Sequence, residues 1–301
     1  MPELPEVETI ARGLAQNLTG DVIESVWLGG KPEPLKSPPA EIVGALEQAR
    51  IAGVRRVGKH IVVDLSRRSP VASRRKKQAL RSPSPARQNR ACRVPRSAQD
   101  DNAKAQWIVH LGMTGRLLIA KPDIAVPKHT HAILRLRSGR ELRFVDPRRF
   151  GRLAVVRHGF EAPGAEPLDV GFESFAGLFR KRKTPIKNAL LNQSLLSGVG
   201  NIYADESLFR AGVRPRRHAA SLTRAELRRL FDAVREVLRE AIAAGGSSVS
   251  DYVDSNGDAG FFQFQHRVYG REGEPCLVCR APIKRIVIAG RSAHYCAKCQ
   301  K

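Results

Sequence analysis

The N-terminal residues Met1, Pro2 and Glu3 are the first candidates for chemistry in this sequence. Pro2 is small enough that the initiator methionine is normally removed before it, which would leave a secondary amine at the terminus. An α-amino group has a pKa of about 8, so roughly a tenth of it is unprotonated at pH 7. A secondary amine that attacks a sugar aldehyde carbon forms a cationic iminium, an electron sink for later eliminations. Glu3 is a candidate acid and base beside this amine.

The same stretch also has a purely structural explanation. Pro5 can lie in the first turn of a helix, where Glu6 and Glu8 would complement the helix dipole. Apolar residues at helical spacing then predict an amphipathic helix that ends near Gly20. These apolar residues are Leu4, Val7, Ile10, Leu14 and Leu18. From these residues alone, helix capping is the commoner explanation, and the rest of the chain must decide.

The most specific motif lies at the opposite end of the chain. Two Cys-x-x-Cys pairs, Cys276 with Cys279 and Cys296 with Cys299, flank a basic segment that predicts a hairpin. Four thiolates at this spacing predict a closed, tetrahedral Zn²⁺ site, which is structural because no coordination position stays open. The fifth cysteine, Cys92, stands alone in a polar stretch, so the pattern indicates a reducing compartment and not disulfides.

Positive charge is the most prominent bulk property. The 301 residues include 52 Lys and Arg against 29 Asp and Glu, a net charge of +23. Such an excess indicates a polyanionic partner, and nucleic acid is the leading candidate. No apolar run approaches the length of a membrane span, and the acidic N-terminus lacks the features of a signal peptide. We therefore expect a cytoplasmic protein without a membrane segment.

Residues 66–105 form a segment of different composition. They are rich in Arg, Ser and Pro without apolar periodicity, which predicts a disordered basic insert. The rest of the chain stays strongly basic without it. Two hypotheses are equally supported: the insert tethers the protein to DNA through nonspecific phosphate contacts, or it is a tolerated surface insertion without a role.

The remaining patterns predict an α+β protein. Strands at 22–28, 51–57, 60–65 and 106–120 and a hairpin at 133–145 predict an N-terminal β-sandwich with flanking helices, one of them at 39–49, over residues 1–157. The hairpin alternates apolar with charged residues, which predicts one apolar and one basic face. The continuous apolar run in strand 60–65 predicts burial on both faces. Lys59 lies where two of these strands meet. Residues 158–170 predict a linker, 171–262 a helical domain and 263–301 the zinc finger. The clearest helix runs from Thr223 to Ala244 behind a capping box.

Several loop residues are candidates for DNA contacts. Phe150 beside Arg148 suits insertion into a base stack with a guanidinium on phosphates or base edges. Met113 lies in a glycine-flanked bend and either packs in the core or forms a wedge. His129 and His131 would share one face of a strand. The glycine turn before Asn201 either offers backbone N–H groups to a phosphate or is a plain helical hairpin.

Five motifs in this order resemble the bacterial formamidopyrimidine-DNA glycosylase family. They are Pro2-Glu3-Leu4-Pro5-Glu6-Val7-Glu8-Thr9, His110-Leu111-Gly112-Met113-Thr114-Gly115, Asp146-Pro147-Arg148-Arg149-Phe150-Gly151, Gly198-Val199-Gly200-Asn201-Ile202-Tyr203, and the Cys₄ finger ending in Gln300-Lys301. The resemblance extends over the whole chain except residues 66–105. It implies a β-sandwich joined to a helix–two-turn–helix module and zinc finger, with DNA in the cleft.

The resemblance also implies an activity and residue roles. The protein would be a monomeric DNA glycosylase and abasic-site lyase that flips 8-oxoguanine or a formamidopyrimidine out of double-stranded DNA. The implied catalytic residues are Pro2 as nucleophile, Glu3 as proton donor and acceptor, Lys59 for β-elimination and Arg291 for δ-elimination. The residues implied to fill the vacated space are Met113, Arg148 and Phe150. The residues implied to bind the DNA, called grip residues below, are His129, Arg182 and Asn201. Relatives are expected to carry Lys at the position of Arg182.

Two other functions stay open at this point. A DNA- or RNA-binding protein with a zinc ribbon and no activity would show the same charge and cysteine spacing, and the free Pro2 amine distinguishes it. A related glycosylase of the endonuclease VIII branch would prefer oxidised pyrimidines. The Glu3-Leu4-Pro5 start and the intact Arg148-Arg149-Phe150 loop favour the formamidopyrimidine branch. The loop 247–262 is expected to cover the flipped base.

Overall fold

The structure is a computed structural model that describes residues 1–66, 105–157, 159–249 and 252–301. The predicted basic insert and Cys92 therefore lie outside the described residues. Ser66 and Ala105, the first and last residues of the predicted insert, are exceptions, because they lie at the ends of paired strands. None of the helices in these described ranges is long and apolar enough to cross a membrane.

Eight antiparallel strands build the N-terminal half. In chain order they are β1 (Ile23–Leu28), β2 (Arg50–Val57), β3 (His60–Ser66), β4 (Ala105–His110), β5 (Arg116–Ala120), β6 (Thr130–Leu136), β7 (Glu141–Val145) and β8 (Arg152–Val156). One four-stranded sheet has the order β2-β3-β4-β8 and the other the order β1-β6-β7-β5. Apolar side chains of both sheets share one buried core, to which Trp107 and Phe144 contribute. The predicted β-sandwich is confirmed.

Two helices flank the sandwich. Helix α1 (Leu4–Leu18) has Pro5 in its first turn, and its apolar stripe is buried, as the helical spacing predicts. The Glu6 carboxylate accepts a hydrogen bond from the Glu3 amide at 2.7 Å, which satisfies a donor at the helix start. Helix α2 (Pro39–Leu46) ends before the predicted Ala49, because Gln48 adopts a positive φ of 59°.

The C-terminal half is helical up to the finger. Its helices are α3 (Phe172–Phe179), α4 (Ile186–Leu191), α5 (Asn201–Ala211) and α6 (Arg224–Ala243), with short 3₁₀ turns at Ala219–Ser221 and Phe262–Gln265. They surround a second core that also includes Leu4, so the N-terminus packs into the helical half. Strands β9 (Ile283–Ile288) and β10 (Arg291–Cys296) form the predicted basic hairpin.

Two expectations about side-chain faces are wrong. His129 does not lie on a strand with His131, because it precedes β6, is exposed and has a φ of 65°. His131 is buried, and its Nε2 lies 2.9 Å from the carbonyl oxygen of Asp146. Strand β7 does not alternate between apolar and exposed residues either. Arg143 is buried there because its guanidinium is bonded to Glu141 and to the carbonyls of Lys121 and Ala125.

Candidate active site

The N-terminal residues dock onto the glycine turn that starts α5. The Leu4 amide donates to the carbonyl oxygen of Gly198 at 3.0 Å. A Cβ on Gly198 would lie 2.8 Å from a Leu4 methyl carbon, and one on Gly200 would lie 2.1 Å from the Glu3 carboxyl carbon. Gly198 also has a φ of 93°, which side chains rarely tolerate. The two glycines therefore leave the space that the Leu4 side chain and the Glu3 carboxyl occupy.

Glu3 points its carboxylate at the N-terminus of α5. The carboxylate accepts hydrogen bonds from the amides of Ile202 at 3.1 Å and Tyr203 at 3.5 Å. The residue is only 4% exposed. Burial raises its pKa, while Lys59, the two amides and the positive chain terminus oppose that rise. A carboxyl group with a raised pKa keeps its proton to higher pH than an ordinary glutamate, which suits a general acid.

Lys59 occupies the tight turn between β2 and β3 and is buried. Burial lowers its pKa, the negative charge of Glu3 opposes this, and the positive charge of Arg291 adds to it. A lower pKa increases the fraction of neutral amine that can accept a proton. The structure thus brings Glu3, Lys59 and Arg291 into one electrostatic environment although they come from three parts of the chain.

Pro2 is buried next to Glu3, with Met1 attached to it and 44% exposed. While Met1 is attached, the Pro2 nitrogen is a tertiary amide whose lone pair is delocalised into the carbonyl group. Removal of Met1 converts it into a secondary amine at the same place. The positive charge that opposes the raised pKa of Glu3 belongs to the Met1 ammonium, one residue before Pro2. The predicted nucleophile and the predicted acid are consecutive residues, and both are buried.

Glu6, which the sequence predicts only to complement the start of α1, also belongs to the candidate site. Besides the Glu3 amide, its carboxylate accepts the Tyr203 hydroxyl and the Ser247 amide, the latter at 2.8 Å. Burial and the charge of Glu3 raise the pKa of Glu6 to about 7. The signal that could have revealed it is its three-residue spacing from Glu3, which puts both carboxyls at one helix end.

Arg56 is a second residue that the sequence did not single out. Its guanidinium bonds to Glu8 at 2.8 Å and to both carboxylate oxygens of Glu166 at 2.8 Å, with 7% of the side chain exposed. It also donates to the carbonyl oxygen of Gly58, beside Lys59. Arg56 therefore ties the Lys59 turn to α1 and to the segment that follows the sandwich.

The two predicted wedge loops lie against each other. A Cβ on Gly112 would lie 2.5 Å from the Phe150 carbonyl carbon, so the bend that carries Met113 packs on the loop that carries Phe150. Met113 is 40% and Phe150 51% exposed, and the Arg148 guanidinium lies 4.8 Å from the Phe150 ring centroid. The buried Asp146 holds the loop by accepting from the Gly151 amide at 2.7 Å. Exposed apolar groups with an arginine beside them suit insertion into a base stack.

The three predicted grip residues lie on different elements. Asn201 is the first residue of α5, and its amide nitrogen lies 3.3 Å from the Ser292 hydroxyl, next to Arg291. One turn further along α5, Asp205 pairs with the Lys187 ammonium at 2.6 Å, with both side chains fully buried. Arg182 is exposed before α4, and His129 is exposed before β6. Within the residues that the structure describes, no hydrogen bond joins Asn201, Arg182 and His129 to one another.

The loop predicted to cover a flipped base is described at 247–249 and 252–262. Tyr252 is buried in the sandwich core and donates to the carbonyl oxygen of Gly245 at 3.1 Å. The Ile119 amide donates to the carbonyl oxygen of Ser255 at 2.9 Å. This loop therefore lies against α1 and β5, with the Ser247 amide beside Glu6.

The four cysteines of the finger form the predicted metal site. Their sulfur atoms all lie within 4.8 Å of one another. The sulfurs of Cys276 and Cys296 also accept backbone amides at 3.4 Å, which is typical of thiolate ligands. These donors fit one tetrahedral Zn²⁺ ion. The ion would fix the β9–β10 hairpin and with it Arg291.

Comparison with known families matches the chain in three parts. Residues 1–153 match the formamidopyrimidine-DNA glycosylase N-terminal domain, residues 163–253 its H2TH domain, and residues 273–301 the zinc finger found in FPG and IleRS. The formamidopyrimidine-DNA glycosylase of Solibacter usitatus is 41% identical over 314 residues and that of Desulforamulus reducens 39% over 315 residues. Both alignments cover the whole of this chain, together with 100% of the Solibacter protein and 99% of the Desulforamulus protein. The finger match agrees with the predicted zinc site.

Solved structures are similar over the same length. The MutM (Fpg) protein from Thermus thermophilus has a TM-score of 0.78 at 39% identity, covering 99% of this chain and 98% of that one. A Lactococcus lactis Fpg mutant in complex with Fapy-dG-containing DNA has a TM-score of 0.81 at 29% identity, with both chains fully covered. The Lactococcus enzyme has also been solved with DNA that contains an abasic site or an oxidised pyrimidine.

Proposed function

The chain belongs to the formamidopyrimidine-DNA glycosylase family, and from that premise we propose that Pro2, freed of Met1, is its nucleophile. The enzyme is a DNA glycosylase and abasic-site lyase that removes oxidised purines such as Fapy-dG. The observation that carries the proposal is the buried Glu3 carboxyl, with its raised pKa, held beside Pro2 by the N-terminus of α5. A buried acid next to a terminal amine suits imine chemistry on a sugar.

The proposed reaction begins at C1′ of the damaged nucleotide. The Pro2 lone pair forms a bond to C1′ as the bond from C1′ to the base breaks, and the base leaves with a proton. The attached amine then loses its proton, Glu3 protonates the ring oxygen, and the nitrogen lone pair forms the C1′ iminium as the bond from C1′ to the ring oxygen breaks. The departing base and the released ring oxygen each receive a proton, which Glu3 or solvent supplies.

The iminium then acts as the electron sink for strand cleavage. Removal of a proton from C2′ breaks the bond from C3′ to its phosphate, which is β-elimination. A second proton loss, from C4′, breaks the bond from C5′ to its phosphate, which is δ-elimination. We assign the first step to Lys59, whose lowered pKa favours a neutral amine, and assistance in the second to Arg291. Water finally hydrolyses the imine and releases Pro2.

The exposed residues of the other loops would hold the DNA. Met113, Arg148 and Phe150 would fill the space left by the flipped nucleotide. His129, Arg182 and Asn201 would contact phosphates, and the loop 247–262 would cover the flipped base. The partner is double-stranded DNA with oxidised bases or abasic sites, as crystallised with the Lactococcus relative.

We extend the proposal to organisation and location. The division into residues 1–157, a linker at 158–170, a helical domain at 171–262 and a finger at 263–301 agrees with the absence of described helices and strands between Val156 and Phe172. The enzyme would act as a monomer. It would work in the cytoplasm of a bacterium, at the nucleoid through its affinity for DNA.

Borohydride reduction tests the nucleophile directly. Mixing the zinc-loaded enzyme with duplex that contains 8-oxoguanine opposite C, or an abasic site, should give a covalent complex whose peptide map places the sugar on Pro2. A variant with one extra residue before Pro2 should form none. A trapped adduct on a lysine would refute Pro2 as the nucleophile, and no adduct on either substrate would favour the binding-protein alternative. Excision of thymine glycol faster than 8-oxoguanine would instead favour the oxidised-pyrimidine branch.

A further inference from the structure

A pocket of about 450 Å³ lies outside the catalytic cluster. It opens between the end of β1, the residues before β6 and the loop after β7, and its lining includes Trp27, Lys31, His129 and Arg149. None of Glu3, Lys59 and Arg291 belongs to this lining. The Trp27 side chain is 51% exposed, which is unusual for so large an apolar group.

Two glycines keep the space beside the indole open. Gly29 and Gly30 follow β1, and neither has a positive φ, so the backbone does not require glycine there. A Cβ on Gly30 would meet nothing within 4 Å, and one on Gly29 would lie 3.5 Å from the indole atom Cη2 of Trp27. A larger side chain at Gly30, which lines the pocket, would therefore enter open space, whereas a Cβ on Gly29 would also lie 3.4 Å from the Thr130 carbonyl oxygen.

The polar wall of the pocket is cationic and adaptable. Lys31 is exposed, and the Arg149 guanidinium pairs with Glu33 at 2.5 Å, with 44% and 46% of the two side chains exposed. An ion pair this exposed is weak, so a phosphate can replace Glu33 as the partner of Arg149. An aromatic face beside such cations is the arrangement by which proteins bind unpaired nucleotides, with the base stacked and the phosphate paired.

We propose that this pocket binds one unpaired nucleotide of DNA, its base stacked on Trp27 and its phosphate bonded to Lys31 and Arg149. The inference rests on DNA being the substrate, which it deepens by adding a second nucleotide site. An unpaired nucleotide is required because base faces inside a duplex are already covered by their neighbours. A frayed or overhanging strand end exposes such a face, whereas an intact duplex does not.

Tryptophan fluorescence isolates this pocket from the catalytic site. The chain contains two tryptophans, and Trp107 is 1% exposed in the sandwich core, so quenching by DNA reports Trp27. The probes are a short single-stranded oligothymidylate, an abasic duplex with a single-stranded overhang, and the same duplex with blunt ends. We expect saturable quenching by the first two probes and much weaker quenching by the third.

Substitutions test the two contacts separately. Trp27→Ala should weaken oligothymidylate binding about ten-fold, as loss of one stacked base does, while Trp27→Phe should retain most of it. Lys31→Ser should lower the salt dependence of binding by about one phosphate contact. Lys36→Ser is the matched control, because Lys36 lies on the same connection outside the pocket lining and should leave binding unchanged.

Filling the pocket provides the decisive variant. Gly30→Leu should abolish the quenching while the yield of borohydride trapping on the blunt abasic duplex stays at the wild-type level. The pocket inference alone would be overturned by quenching that persists in both Gly30→Leu and Lys31→Ser. It would also be overturned if the wild-type enzyme showed normal trapping but no quenching of Trp27. Loss of trapping in the wild type would instead overturn the assignment of Pro2.

Discussion

The contact between Gly200 and Glu3 gives the sharpest test of the proposed acid. Gly200 precedes α5 with φ −128° and ψ −162°, a conformation that alanine adopts freely. The added methyl carbon would nevertheless lie 2.1 Å from the Glu3 carboxyl carbon and 2.4 Å from its Oε1. Gly200→Ala therefore changes the position of the carboxyl group without straining the backbone.

The size of the effect follows from that distance. Ordinary van der Waals contact begins at 3.4 Å, so the Glu3 carboxyl must move by more than about 1 Å. Displacement of a catalytic group by about 1 Å costs on the order of 100-fold in rate. Overpacking of this kind costs about 1–3 kcal/mol of stability, which lowers the Tm by several degrees without unfolding the protein.

Gly171→Ala is the matched control. Gly171 also precedes a helix in an extended conformation, with φ −75° and ψ 158°, but a Cβ there would meet nothing within 4 Å. Both substitutions put alanine before a helix, and only one meets Glu3. Single-turnover excision of 8-oxoguanine opposite C, measured below the Tm of both variants, should be slowed about 100-fold in Gly200→Ala and little changed in Gly171→Ala. Equal rates in the two variants would refute the role of the Glu3 position.

Three other perturbations have definite expected outcomes. The pKa of Glu6 is about 7 in the folded protein against an ordinary 4.5, so the folded state holds an extra proton and stability falls by about 3 kcal/mol as pH rises from about 4.5 to 7. Urea unfolding should show that Glu6→Gln reduces this fall, since only the raised pKa of Glu3 then remains, and an unchanged pH profile would contradict it. Arg56→Met leaves the Glu166 carboxylate without its guanidinium and Glu8 with Arg12 alone, so it should cost about 2 kcal/mol in the same assay. An unchanged free energy of unfolding would contradict this role of Arg56. Cys279→Ser should lower the bound zinc and abolish strand cleavage, while the fluorescence of the buried Trp107 shows that the sandwich core stays folded. Strand cleavage by the zinc-free variant would show that the finger is dispensable.

The elements with local signals were predictable from the sequence. Helix α6 follows its capping box, with the Glu226 amide donating to the Thr223 hydroxyl at 3.2 Å. The Cys₄ site needs only ligand type and spacing, and its four sulfurs converge as predicted. The consecutive apolar residues Ile61, Val62 and Val63 predict that β3 is buried on both faces. All three side chains are buried in the structure.

Features that depend on distant partners were not predictable in this way. Arg56 and Glu166 are 110 residues apart, and no periodicity in either segment indicates that they pair. Arg143 looked like an exposed strand residue, yet it is buried because Glu141 and two loop carbonyls satisfy it. The assignment of Pro2, Lys59 and Arg291 came from the family resemblance, since each residue alone has a commoner structural explanation.

The two explanations offered for the N-terminal stretch are not alternatives. The Glu6 carboxylate caps α1 by accepting the Glu3 amide, and the same contact fixes the backbone from which the Glu3 carboxyl reaches α5. Because Glu6 also accepts the Tyr203 hydroxyl and the Ser247 amide, the cap is joined to the helical half and to the loop beside the site. A residue that only capped the helix would need none of these extra donors. The capping interaction is therefore part of the proposed catalytic geometry, and a substitution that damages it should displace the Glu3 carboxyl before it unfolds the helix.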